Sequence, residues 1–159
     1  MITKELLHEL FEYKDGHLYW KVSRSQRVKV GNKAGGVHKP SGYYHIEFNS
    51  KKYKGHRLIF LMHHGYLPKV IDHIDGDKLN NKIENLREAT QQQNCYNSGM
   101  KKLNTSGVKN VHLHKPTNKW LVQLMVNGKK KYFGLYEDLE LADLVAQEAR
   151  DKYFGEFAR

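Results

Sequence analysis

The sequence has a single cysteine, Cys95, among 159 residues. An intrachain disulfide is excluded, as is a zinc site built from thiolates alone, and a reducing, intracellular setting fits. Apolar runs of the roughly 18 residues needed to cross a bilayer are missing. Glu5, Glu9 and Glu12 interrupt the N-terminal segment, so neither a membrane span nor a cleaved secretory leader is expected. No internal repeat is visible. Acidic side chains are scarce: 17 stand against 27 lysines and arginines, for a formal charge of +10. That imbalance points to a polyanionic partner, nucleic acid foremost, although surplus solvated lysine is the plainer alternative. Its distribution is uneven, with +7 over residues 1–68, −1 over 69–100 and +4 over 101–159. Two basic flanks enclose a slightly acidic centre, as expected if the flanks grip phosphates and the centre holds a cation.

Local signals divide the chain further. Thr3 caps a helix over residues 3–12 with Leu6, Leu7, Leu10 and Phe11 on one face. Asp15-Gly16 turns into a strand from His17 to Val22, and residues 23–36 read as a basic loop. Gly42–Phe48 and Lys51–Tyr53 form a hairpin bent at Asn49-Ser50. A helix from His56 to His64 stops at Gly65. Lys69–His73 and Leu86–Ala89 are short strands, and Thr90 opens a helix to about Asn97, giving a ββα unit. Ser98–Ser106 reads as a linker. Beyond it lie strands at Val108–His114, Trp120–Val126 and Lys130–Phe133, with an Asn127-Gly128 hairpin. A last helix over Leu139–Phe154 offers Leu141, Ala142, Val145, Ala149 and Phe154 to the sheet.

Chemistry concentrates between Val70 and Asn94. Asp72-His73 ends an apolar run, and Asp75, Asp77, Asn80, Asn81, Asn85 and Asn94 follow. Asp72 offers a hard anionic oxygen suited to Mg2+ or Mn2+. His73 can accept a proton from water near neutral pH. Asn94 can supply a second, neutral ligand, and Asn85 can hold the imidazole or the turn backbone. On a regular strand Asp72 and His73 point to opposite faces, so one site needs the strand to end there. Taken singly, Asp72 and Asp75 read equally well as turn caps, the asparagines as loop stabilisers, and His73 as a surface histidine.

Taken together, Asp72-His73-Ile74-Asp75-Gly76-Asp77, Asn80-Asn81, Glu84-Asn85-Leu86-Arg87 and Asn94 resemble the HNH nucleases of the phage and group I intron homing type. The resemblance implies His73 as general base, Asp72 and Asn94 as divalent-metal ligands, and Asn85 as the central asparagine supporting the histidine. Asn94 stands where the bacterial toxin branch has a histidine, which argues against a zinc-style site. No leaving-group acid is identifiable, and His63-His64 read as helix-end surface residues.

Residues 104–158 resemble the DNA-binding domain of plant ethylene-response factors. The landmarks are Ser106-Gly107-Val108, Lys119-Trp120, Gly134-Leu135-Tyr136, Ala142 with Ala146, and Gly155-Glu156-Phe157-Ala158. The resemblance implies a sheet lying in the DNA major groove. Independently, Trp120, Val122, Leu124 and Val126 share one strand face, and Lys119, Leu121, Gln123 and Met125 the other. Gln123 could reach a base edge, and Lys109, Lys119, Lys129, Lys130 and Lys131 phosphates. The face of strand one is ambiguous, and the lysine run reads alternatively as solvated surface. In the N-terminal third, Arg24, Arg27, Lys29 and Lys33 could extend along a duplex, with Arg57 beyond them. Tyr43, Tyr44 and Tyr53 are either part of that surface or core.

The expected fold class is α+β and modular: an N-terminal α+β region (1–55), a ββα-metal core (56–98), and a linker with a three-stranded antiparallel sheet packed on one helix (99–159). The expected function is a Mg2+- or Mn2+-dependent endonuclease for double-stranded DNA. It would be monomeric, without an obligatory protein partner, in the cytoplasm of a phage-infected bacterium. The alternatives are a DNA-binding protein without catalysis and an RNA-directed nuclease or binder. A major-groove module opposes the RNA reading, because A-form RNA hides that groove.

Overall fold

The computed structural model describes residues 2–159 and divides into two compact units, residues 1–90 and 91–159. In the first, α1 (Lys4–Leu10) begins at Thr3, whose hydroxyl accepts the Leu6 N–H. The strands β1 (Phe11–Lys14) and β2 (His17–Trp20) pair across Asp15-Gly16. A meander of β3 (Gly36–His38), β4 (Tyr43–Phe48) and β5 (Lys51–Lys54) follows. Asn49 and Ser50 take left-handed φ values of 50° and 58°, the geometry a tight hairpin twist requires. Strand β4 alternates as expected, with Tyr44, Ile46 and Phe48 buried.

The helix α2 (Gly55–His64) buries Leu58, Ile59, Phe60, Leu61 and Met62 in succession, so apolar neighbours meet it on more than one side. The antiparallel pair β6 (Val70–His73) and β7 (Leu86–Ala89) completes the unit. One apolar core runs from Leu7, Phe11 and Leu18 through Ile46 and Ile59 to Ile71 and Leu86. The division expected at 55/56 falls inside that core. Tyr44 belongs to it, and Tyr53 packs on its edge.

The second unit contains α3 (Gln91–Tyr96), β8 (Val111–His114), β9 (Lys119–Val126), β10 (Lys129–Tyr136) and α4 (Leu139–Phe154). Its sheet is antiparallel in the order β10-β9-β8. Val111, Val122, Leu124 and Val126 pack against Ala142, Ala146, Ala149 and Phe154. Small side chains on α4 let the helix lie close to the strands. Leu141, expected at this contact, is 48% exposed instead, and Ala146 takes the inward position. Strand β8 starts later than expected: Asn110 has φ 68°, and Ser106 bonds the carbonyls of Val108 and Val111. Strand β10 runs longer, through a register shift at Phe133. The α+β class, the ββα order β6-β7-α3 and the three-stranded sheet on one helix are as the sequence implied. Among the described residues no helix is long and apolar enough to cross a membrane.

Phe11 is 1% exposed and touches the rings of Trp20 and Phe48. Phe11→Ala should destabilise the first unit by about 3–5 kcal/mol, seen as a lower urea midpoint. A change under 1 kcal/mol, on the order of a surface substitution, would contradict the core described here.

Candidate active site

Strand β6 ends at His73, and the chain turns at once. The Gly76 N–H donates to the His73 carbonyl and the Ile74 N–H to the Asn85 carbonyl. The loop that follows has little apolar burial, so polar side chains hold it. Asp75 Oδ1 accepts from the Asp77 N–H and from Asn85 Nδ2, each at 2.8 Å, and Oδ2 accepts from Asn80 Nδ2 at 2.7 Å. Asn85 returns the contact by accepting the Asp75 N–H at 3.0 Å, and its Nδ2 also donates to the Asn80 carbonyl. Burial works to raise the Asp75 pKa. The donors from Asn80, Asn85 and Asp77, with His73 nearby, outweigh it and hold the carboxyl below its usual range.

Asp72 and Arg87 face each other across the β6–β7 ladder, and Arg87 Nε donates to Asp72 Oδ2 at 2.9 Å. Only 4% of the Asp72 side chain is exposed. His73, next along the strand, is also buried, and its Nε2 donates to Asn81 Oδ1 at 2.9 Å. The His56 ring stands edge-on to it at 5.0 Å, and Tyr43 lies 6.3 Å away. Asn85 directs its amide to the turn after His73 rather than to the imidazole. Asn81, whose side chain bonds the ring, stands in the sequence motif but is given no role at the histidine there. Nothing in the Asn80-Asn81 pair says which amide turns inward. Arg87, also in the motif, has its partner Asp72 set by strand register alone.

Asn94 lies on α3, which belongs to the second unit. That helix is fixed there by Tyr96 stacked on Phe154 at 3.9 Å and by Gln92 bonded to Asn127. Among the described residues, no group of three or more His, Cys, Asp or Glu side chains is placed to hold a metal. In the first unit, the buried carboxylate of Asp72 is a donor of the kind a hard divalent ion takes.

The expected DNA-contact residues fall into distinct settings. Arg24 donates to Asn49 Oδ1 and lies over the Trp20 ring. Lys33 sits by His17 and over Tyr44, while Arg27 and Lys29 are exposed. Arg57 donates to the Pro68 and Lys69 carbonyls. Register settles the second unit's sheet faces. His112, Leu121, Gln123, Met125, Lys130 and Tyr132 share the outer face. Lys129 and Lys131 pair with the buried Val126 and Leu124, placing them on the helix side, where Lys131 covers Tyr153. Lys119 pairs with Glu137 at 3.0 Å. Lys109 is half-buried and donates to the Tyr96 and Arg159 carbonyls. Burial first, then Arg150 and Arg159, pushes its pKa down to about 8. It ties segments of its unit together.

Residues 53–96, from the end of β5 through α3, match the family described as HNH endonuclease. The chain is 36% identical to Protein 3.8 of Escherichia phage T7 over 97 residues, covering 60% of this chain and 79% of that one. It is 32% identical over 118 residues to an uncharacterised HNH endonuclease of Acanthamoeba polyphaga mimivirus, covering 72% of this chain and 60% of that protein's length. No solved structure matches. Residues 53–96 therefore form an HNH-type endonuclease domain with phage and viral relatives, which supports a nuclease function in general. These comparisons do not extend the likeness to plant ethylene-response factors.

His56 gives the first unit a pH dependence. Burial, then the neighbouring His73, Lys54, Arg57 and His45, pushes its pKa from 6.5 down to about 3. The folded state excludes the proton, so this stabilisation is full above about pH 6.5 and is lost as pH falls toward 3. It amounts to about 5 kcal/mol at the acid end. His56→Phe should flatten the fall of the urea midpoint across that window, and an unchanged slope would count against the assignment.

Proposed function

We propose that the protein is a Mg2+- or Mn2+-dependent endonuclease that nicks or cuts double-stranded DNA, of the homing type. The observation that carries the reading is the placement of His73: buried, hydrogen-bonded and adjacent to Asp72, at the strand end within the HNH match. His73 takes the proton from the attacking water. Asp72, oriented by Arg87, and Asn94 are the side chains that would hold the divalent ion. Asn85 fixes the turn from which the imidazole projects. The chemistry such an ion supplies is stabilisation of charge on the phosphorane and the departing oxygen. Using an amide as the second ligand keeps the site less negative and favours approach of a polyanion.

The 1–55, 56–98 and 99–159 division is retained here as a division of labour, with duplex grip on either side of the chemistry. Arg24, Arg27, Lys29, Lys33 and Arg57 would contact backbone phosphates on one side. On the other, the sheet of the second unit would dock in a major groove in the manner of the ethylene-response-factor domain. Gln123 is its base reader, and Lys119 and Lys130 contact phosphates. Leu121 and Met125 on that face suit thymine methyl groups. The protein would act as a monomer in the cytoplasm of an infected bacterium.

Supercoiled plasmid incubated with Mg2+ or Mn2+ should be nicked or linearised, and EDTA should abolish the product. His73→Ala should remove nearly all of it, by about 100-fold or more. Undiminished cutting by that variant would remove the histidine from its role. Lys130→Ala should weaken duplex binding with a shallower salt dependence, lowering the slope by about one. An unchanged slope would take Lys130 off the interface.

A further inference from the structure

We propose that Asn81 is a positioning residue that fixes which nitrogen of His73 carries the proton; the inference rests on His73 being the base. Asn81 Oδ1 has no hydrogen to give, so the 2.9 Å contact requires Nε2–H on the imidazole. A neutral ring protonated there keeps its lone pair on Nδ1, which is then the nitrogen that accepts a proton.

Three features set Asn81 apart from its neighbours. The flanking amides of Asn80 and Asn85 serve the loop through Asp75. Asn81 is 1% exposed, yet its Nδ2 is buried without a hydrogen-bond partner. Its polarity is thus directed at the imidazole, with an orphan N–H group tolerated in return. Thirdly, the backbone at Asn81 is pressed from outside the loop. A Cβ on Gly16, in the β1–β2 turn, would lie 2.9 Å from the Asn81 carbonyl carbon and 2.8 Å from the Lys82 nitrogen. Tyr13, on the same hairpin, accepts the Ile83 N–H at 3.0 Å through its hydroxyl. The N-terminal hairpin therefore braces the segment that presents the amide to the ring.

The test uses the full chain. Nitrogen–proton correlation spectra of the metal-free protein should show neutral His73 as the Nε2–H tautomer. Asn81→Leu, close in volume but without an acceptor, should lose that bias, and Asn81→Asp should keep it. In plasmid cleavage Asn81→Leu should lower kcat about 10–100-fold while KM for DNA stays within about twofold. Gly16→Ala should lower kcat in the same way. Gly31→Ala should not: Gly31 has a similar φ of 81° against 78°, but nothing lies within 4 Å of its Cβ position. An unchanged tautomer in Asn81→Leu, or equal effects of the two glycine variants, overturns the proposal. Normal cutting by Asn81→Leu does so as well. A tautomer change in a protein that cuts no DNA overturns the nuclease reading and leaves the hold of Asn81 on the ring intact.

Discussion

The carboxylate of Asp75 closes the long connection between β6 and β7, and the rest of the site depends on it. A segment with so little apolar content gains little from burial, so its backbone must be held by explicit hydrogen bonds. Asp75 collects donors from Asp77, Asn80 and Asn85. Asn85 in turn bonds back to the Asp75 backbone. With these ends joined, Leu86 pairs with His73 and Arg87 with Asp72, and Asn81 is delivered to the imidazole. The acids and amides of the motif thus divide between holding the loop, as Asp75 does, and facing the His73 ring, as Asn81 does.

The Arg87–Asp72 pair is a different kind of constraint. A buried ion pair is weak evidence of stabilisation, because desolvation offsets much of the attraction. Its value here lies in orientation: the Arg87 guanidinium fixes one carboxylate oxygen of Asp72. His56 adds a second buried polar group against the imidazole of His73. This end of the core is built from groups a protein optimised for stability alone would replace with hydrocarbon.

Features written in local chemistry were legible in the sequence. Asn127-Gly128, Asn49-Ser50 and Gly65 mark turns that require left-handed backbone, and the bounds of α4 follow from its own residues. Asp72, His73, Asn85 and Asn94 stand out in the sequence by their spacing, and all four lie within the stretch that matches the HNH family. What escaped was set by tertiary geometry. Leu141 and Ala146 have similar claims to the inward face until the strands decide. The register shift at Phe133 and the left-handed Asn110 alter strand ends that alternation alone extends or truncates wrongly. Lys109 looks like any surface lysine until carbonyls of its own unit enclose it, and the lysine run at 129–131 splits between two faces only once pairing is known. Asn81, Arg87 and His56 meet the site across loop, ladder and helix contacts that no short window contains.

The boundary at Thr90 separates the two strands of the ββα motif from its helix, whose Tyr96 is stacked on Phe154. The smallest heritable piece that keeps both halves of the motif folded is consequently larger than the motif. Recombination that swapped residues 53–96 alone would strip α3 of its packing surface. Exchange between relatives should instead move α3 together with the sheet and helix it packs on, so that the framework carrying Asn94 is inherited whole.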